Sequence, residues 1–142
     1  MSKVFGYPKF DENGEMILTT YDNEYKEMMM DIRVYSMKTG EKRSFIRTGG
    51  RDCSTASFRQ SNLCLGGENE TVSRKDVFTE GPWALHVCKE KEIQVTAEEE
   101  SEILVQCTQN DRTFASRLYA PEDAPWGYSC VGKNLAMWQS VV

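Results

Sequence analysis

Short runs of strand-forming residues recur along this chain about every ten residues, with turn residues between them. Alternating apolar and polar side chains have the period of a β-strand, whereas Asp, Asn and Gly favour turns. Only residues 23–30 have a helical pattern. The pattern predicts an all-β sandwich or barrel of the jelly-roll kind. The predicted strands are 16–21, 31–37, 42–46, 76–78, 83–88, 92–96 and 102–107.

Three local segments carry further predictions. Residues 38–41, Lys-Thr-Gly-Glu, separate two of the runs and predict a hairpin between 31–37 and 42–46. The acidic residues at 98–100 predict a solvated turn. The consecutive methionines at 28–30 are expected to fill gaps in the core, which is the usual role of this flexible side chain.

The charge balance disfavours nucleic-acid binding. The 142 residues include 17 Lys and Arg and 22 Asp and Glu, a net charge of −5. A chain of this length buries roughly two-thirds of its unfolded surface, so residues 1–142 are expected to form one domain. An acidic chain offers no basic footprint for nucleic acid, and no apolar run of membrane-spanning length is present. We expect a cytoplasmic protein without a nucleic-acid or membrane partner.

The cysteines and the single histidine restrict metal chemistry. Five cysteines lie at wide spacings without a Cys-x-x-Cys pair, which predicts reduced, buried thiols. Catalytic metal sites usually take several protein ligands, His foremost among them, but this chain has only His86. A role in the core or in a pocket wall is therefore favoured for this histidine over that of a metal ligand or general base. His86 lies in an apolar run and is expected in the core or in a pocket wall.

Several separate blocks of sequence resemble one family of bacterial enzymes. The blocks are 72–87 (VSRKDVFTEGPWALHV), 102–106 (EILVQ), 110–114 (NDRTF) and 118–123 (LYAPED). They are similar, in the same order, to the N-terminal half of 5-deoxy-glucuronate isomerase, a bicupin of inositol catabolism. A related branch is the 4-deoxy-L-threo-5-hexosulose-uronate ketol-isomerases. The resemblance extends over roughly residues 32–123, with one internal gap.

The resemblance implies a single cupin, a double-stranded β-helix closed around a pocket. It also implies aldose–ketose isomerisation of a sugar acid, with a divalent metal, zinc, held by a His/His/Glu/His set in the second cupin. This chain is expected to form only the N-terminal, metal-free lobe, without the C-terminal catalytic cupin, and to be inactive alone. Its one histidine cannot supply the metal-binding set, so the resemblance assigns no catalytic residue and no metal ligand to this chain. We expect a homodimer or self-association.

Two other functions stay open. One is a stand-alone sugar-acid-binding or regulatory cupin, with a pocket walled by His86, Trp83 and Tyr119. The other is an enzyme with a nucleophilic cysteine, Cys88 or Cys107, near His86. The second is disfavoured, because cysteines in strands are usually inert core residues.

The gap in the resemblance, residues 52–67, is polar where two core strands are expected. Back-translation with permitted codons, read from the second base, yields Thr-Ala-Val-Leu-Leu-Leu-Ser-Gly-Lys-Val-Thr-Phe-Ala-Trp, which has the pattern of two strands and a turn. We hypothesise a compensated pair of frameshifts, in the source gene or in its sequencing, with a similar shift after Pro125; a natural single-cupin paralogue is the alternative. The printed sequence predicts a defective sheet around 52–67, with fast amide exchange between Arg51 and Glu70.

Overall fold

The computed structural model describes residues 6–46, 51–57, 61–65, 68–75, 80–110 and 112–123, and in 51–57 and 61–65 it describes mainly the backbone. In these residues the chain forms β-strands and two single turns of 3₁₀-helix, Lys26–Met28 and Pro121–Asp123. The strands are β1 (Glu15–Thr19), β2 (Met30–Met37), β3 (Lys42–Ile46), β4 (Arg51–Ser57), β5 (Ser61–Leu65), β6 (Glu68–Val72), β7 (Trp83–Val87), β8 (Glu92–Ala97), β9 (Ser101–Gln109) and β10 (Arg117–Tyr119). None of the described helices is long and apolar enough to cross a membrane.

The strands form two antiparallel sheets. Sheet A has the order β1-β2-β9-β4-β7-β10, and sheet B has the order β3-β8-β5-β6. Neighbours within a sheet are mostly distant in sequence, as in a jelly roll, where the chain passes repeatedly between the two sheets. The all-β, single-cupin prediction is confirmed.

The core lies between the sheets and follows from strand alternation. In β9 and β8 every second residue is buried, so one apolar row from each sheet faces the other. The neighbouring strand adds to the same buried face, because Tyr35 of β2 lies opposite Ile103 of β9. The most fully buried side chains of the described residues include Met37, Val72, Val87, Ile93, Val95, Ile103 and Val105.

The predicted hairpin between 31–37 and 42–46 is wrong. β2 pairs with β1 and β9 in sheet A, whereas β3 pairs with β8 in sheet B. The connection crosses between the sheets: Gly40, at φ +79°, donates its N–H to the carbonyl of Ala97 at 2.7 Å. β2 brings Tyr35 and Met37 to the core and β3 brings Phe45, and these side chains become buried because the strands face each other across the core rather than lie side by side.

Most other strand predictions hold to within two residues. The predicted strand at 76–78 lies outside the described residues. The helical pattern at 23–30 reduces to one 3₁₀ turn, which ends at Met29 with φ 55°. Met28 and Met29 are 54% and 71% exposed, so the prediction that they fill the core is wrong. The acidic residues 98–100 are exposed, and the solvated turn is confirmed.

The polar segment 52–67 contributes backbone to the centre of both sheets. β4 lies between β9 and β7, and β5 lies between β8 and β6. The pair of strands expected from the family resemblance is therefore present, with one strand in each sheet. Fast amide exchange in this segment stays a prediction.

Candidate functional site

The three residues predicted to wall a pocket lie on two faces of sheet A. Trp83 shares its face with the buried Leu85 and packs against the core, and its Nε1 donates to the carbonyl of Ser73 at 2.9 Å. His86 points to the opposite, outer face, as strand alternation requires. Tyr119 lies opposite Ala84 in β10 and so shares that outer face. The structure thus brings His86 and Tyr119 to one face and places Trp83 on the other.

His86 is held by an aromatic contact. Its ring lies 4.5 Å from the ring of Phe114, centroid to centroid, at an interplanar angle of 33°. Its neighbour in β10 is Arg117, whose guanidinium carbon lies 4.8 Å from the centre of the Tyr119 ring. Over the described stretches of chain, no group of three or more His, Cys, Asp or Glu side chains is placed to hold a metal ion.

Of the three cysteines whose side chains the structure describes, two are free and one is disulfide-bonded. Cys64 and Cys88 are free, and Cys88 is buried with its Sγ 3.9 Å from the carbonyl oxygen of Arg112. Cys107 is disulfide-bonded. The prediction of reduced thiols is therefore wrong for Cys107. This residue lies on the core-facing side of β9, whereas His86 lies on the outer face of the sheet, so Cys107 is not placed to act with it.

A groove of about 860 Å³ opens between β2 of sheet A and β3 of sheet B. The loop at residues 11–14 forms one of its walls. This loop is a tight turn in which Gly14, at φ +72°, accepts a hydrogen bond from the N–H of Ser36 at 2.8 Å. A Cβ added at Gly14 would lie 2.7 Å from the Ser36 carbonyl oxygen, so the turn requires glycine. The groove is the candidate site in the described part of the fold.

Arg33 is the centre of an ion-pair network on the inner side of β2. Its Nε and Nη2 donate to the two carboxylate oxygens of Asp31 at 2.7 and 3.1 Å, and its Nη1 donates to Glu15 at 2.8 Å. The Asp31 side chain is only 5% exposed. The hydrogen bonds to Asp31, helped by the one to Glu15, hold the pKa of Arg33 above its ordinary value, although burial acts in the opposite direction.

Tyr35 connects this network to sheet B. Its hydroxyl donates to the same Glu15 oxygen at 3.1 Å, and its ring lies 4.8 Å from that of Phe45 in β3. The guanidinium carbon of Arg43 lies 5.3 Å from the centre of the Tyr35 ring. Arg43 Nε donates to Glu41 at 2.8 Å, and Nη2 donates to the carbonyl of Asn13.

The arrangement favours structure and polar recognition over catalysis. Arg33 has three N–H donors committed to carboxylates, so its charge is balanced by groups of this chain. Arg43 donates to one carboxylate and to one neutral carbonyl. Its positive charge is therefore less fully balanced than that of Arg33.

Sequence analysis did not identify this network. Residues 31–37 were interpreted as an alternating strand, which β2 is. The available signal was the presence of Asp31 and Arg33 at alternate positions of the same row as Tyr35 and Met37. A charged pair on the core-facing row of a strand indicates a buried ion pair, because an isolated charge is too costly there.

We expect the acid sensitivity of the fold to depend on Glu41. The N–H of Lys38, which donates to Glu41 at 2.9 Å, lowers the pKa of this carboxyl below its ordinary 4.5, and Arg43 adds to the effect. A pKa depressed by folding gives stability that is present above the unfolded pKa and is lost as the pH falls through the folded pKa. The unfolding temperature should therefore decrease as the pH is lowered from roughly 4.5.

Melting curves between about pH 3 and 6 test this expectation. Glu41→Gln should flatten the acid limb of the curve, whereas Glu92→Gln, on the exposed side of β8, should leave it unchanged. An acid limb of equal slope in the two variants would contradict the role of Glu41.

Sequence comparison finds a family model that matches most of this chain. The model described as the KduI/IolB family matches residues 6–134. Among curated proteins, comparison by sequence gives no significant match.

Solved structures with the same fold include three of particular relevance. An IolB-like protein from Salmonella typhimurium LT2 superposes with a TM-score of 0.67 at 17% identity, over 74% of this chain and 41% of its own. YlbA from Escherichia coli gives a TM-score of 0.60 at 9% identity, over 88% and 52% of the two chains. An RmlC-like cupin from Desulfovibrio desulfuricans gives 0.51 at 12% identity, over 76% and 93%. At these identities the neighbours show the fold alone.

Proposed function

Because this chain belongs to the KduI/IolB family, we propose that it is the metal-free cupin lobe of a sugar-acid isomerase of the 5-deoxy-glucuronate type. The observation that carries the proposal is the extent of the match. The family model matches residues 6–134, yet the chain spans only 41% of the length of the Salmonella IolB-like protein. The single histidine of the sequence supports the same assignment, because a His-rich metal set needs residues that this chain does not contain.

In this proposal the two lobes divide the work. A divalent metal, zinc by the family resemblance, belongs to the other lobe and supplies polarisation of the substrate carbonyl. The present lobe supplies a rigid sandwich, whose groove end is held by the Arg33 ion pairs and by the Tyr35–Phe45 contact between the sheets. We further propose that the lobe is cytoplasmic and self-associates or forms a homodimer.

The alternative function is a stand-alone sugar-acid-binding or regulatory cupin. The groove favours this alternative, because Arg43 and the loop at 11–14 line a cavity of about 860 Å³. A sugar acid of one ring is well within that volume. The ligand would be bound there by hydrogen bonds and by one guanidinium, without chemical conversion.

We expect the purified 142-residue chain to contain no stoichiometric zinc and to show no turnover of 5-deoxy-glucuronate. Metal analysis and an isomerase assay measure this directly, and the Salmonella IolB-like protein, prepared in parallel, serves as the two-lobe comparison. Bound metal together with turnover would overturn the metal-free lobe. Saturable binding of 5-deoxy-glucuronate by calorimetry without turnover, abolished by Arg43→Met, would favour the binding cupin instead.

We also propose that residues 52–67 derive from a compensated pair of frameshifts. The support is the contrast between a polar sequence and its central position in both sheets. Sequencing of the genomic DNA across codons 51–67 and past codon 142 is the direct test. Reads that confirm the printed frame, with no second cupin downstream in any frame, would favour a natural single-cupin paralogue.

A further inference from the structure

Cys107 lies at the centre of sheet A and is part of a disulfide. It is 1% exposed and belongs to the hydrophobic core. Its carbonyl oxygen accepts a hydrogen bond from the Tyr21 hydroxyl at 3.2 Å. This side-chain contact adds to the backbone hydrogen bonds that position β9 at this residue. Of the other cysteines, Cys64 and Cys88 are free. The partner of Cys107 is therefore Cys53 or Cys130.

The backbone register favours Cys53. β4 and β9 run antiparallel, and Cys53 lies directly opposite Cys107 in the ladder. Residues directly opposite each other in such a pair have Cα atoms about 4.5–5.5 Å apart. Disulfides need Cα separations of about 4.4–6.8 Å, so the register satisfies this requirement without movement of either strand.

We propose that Cys53 and Cys107 form a buried cross-strand disulfide that ties β4 to β9 and makes the stability of sheet A depend on thiol redox state. Formation removes one electron and one proton from each thiol. A small-molecule disulfide such as oxidised glutathione accepts them: its S–S bond breaks, a mixed disulfide forms, and the second cysteine displaces the remaining glutathione, so that two glutathione thiols leave.

The position of the bond determines its effect. β4 carries the polar sequence of the segment 52–67, and the disulfide joins it to β9, which has a buried residue at every second position. The bond also closes a loop over residues 53–107, which restricts the unfolded chain. Because Cys107 is almost inaccessible, a reductant reaches the bond only when β4 separates from its neighbours, and reduction of the folded protein should be slow.

Peptide mapping identifies the partner. Trypsin cleavage after Lys and Arg places the five cysteines in separate peptides: 52–59, 60–74, 76–89, 92–112 and 118–133. The full chain is incubated with oxidised glutathione, alkylated in denaturant without reductant, and digested. We expect peptides 52–59 and 92–112 to be joined and the other three to be alkylated. Alkylated Cys107, or a bond between peptides 92–112 and 118–133, would overturn the proposal.

Thermal unfolding tests the consequence for stability. Dithiothreitol should lower the midpoint of the intact chain by about 10 °C. Cys64→Ala should keep this reductant-dependent shift, because Cys64 is free, and Cys53→Ala should abolish it. The same midpoint in oxidised and reduced wild-type protein would refute the redox dependence, and this measurement needs no variant to fold.

Discussion

Replacement of Arg33 by Met is expected to lower the free energy of unfolding by about 3–5 kcal/mol, the cost of breaking a buried ion pair from one side. Arg33 satisfies both oxygens of Asp31, whose side chain is 5% exposed, and one oxygen of Glu15. Without the guanidinium, Asp31 stays in the protein interior as an uncompensated charge. Methionine has a similar length, so the loss reports on charge and hydrogen bonds rather than on a cavity.

Urea unfolding of matched variants measures this loss. Lys42→Met removes a positive charge from the exposed side of β3 and should cost less than about 0.5 kcal/mol. Adding Asp31→Leu to Arg33→Met should recover part of the stability, since it removes the orphaned charge. If Arg33→Met and Lys42→Met have equal effects, the network is not a stabilising element of the fold.

Replacement of residues 52–65 by the sequence of the shifted frame, Thr-Ala-Val-Leu-Leu-Leu-Ser-Gly-Lys-Val-Thr-Phe-Ala-Trp, should raise the free energy of unfolding by several kcal/mol. The register provides the reason. Thr55 lies opposite Val105, and Ser57 lies opposite Ile103, both buried residues of β9. The shifted frame puts Leu at these two positions, and each fully buried apolar side chain contributes about 1.5–3 kcal/mol.

Hydrogen exchange and urea unfolding of both chains in reducing buffer test this expectation, and the reducing buffer removes any contribution of a disulfide at Cys53. The printed sequence should exchange quickly between Arg51 and Glu70, and the replaced sequence should exchange slowly there. A replacement with the same composition in scrambled order is the control. Equally slow exchange of β4 and β9 in the printed sequence would contradict the weak-sheet expectation.

Local pattern predicted the strands of this fold better than their partners. In β8 the alternation of Ile93 and Val95 with polar residues was sufficient to identify the strand and its buried face. The same kind of pattern in β2 and β3 led to a hairpin that does not exist, because alternation tells which face of a strand is buried and not which sheet the strand joins. That choice depends on long-range pairing, such as β2 with β9.

The site was less predictable for related reasons. Strand alternation requires Trp83 and His86 to lie on opposite faces, so proximity in sequence did not make them one wall. The groove depends on Arg43 of β3 meeting Tyr35 of β2 across the sheets, a contact with no local sequence signal. The exposure of Met28 and Met29 likewise follows from the short 3₁₀ turn. A single turn has no side that packs on the core, and none of its residues is buried.

The interleaved strand order has a consequence for the biogenesis of the protein. β2 ends at Met37, but β9, which pairs with it in sheet A, begins only at Ser101. The central strands of sheet A therefore cannot pair until the ribosome has synthesised β9. Loop closure over such separations makes folding slow compared with that of helical domains. During that interval Tyr35, Met37 and Phe45 have no core to pack against, so the nascent chain exposes apolar surface that favours aggregation for longer than a chain with local topology would.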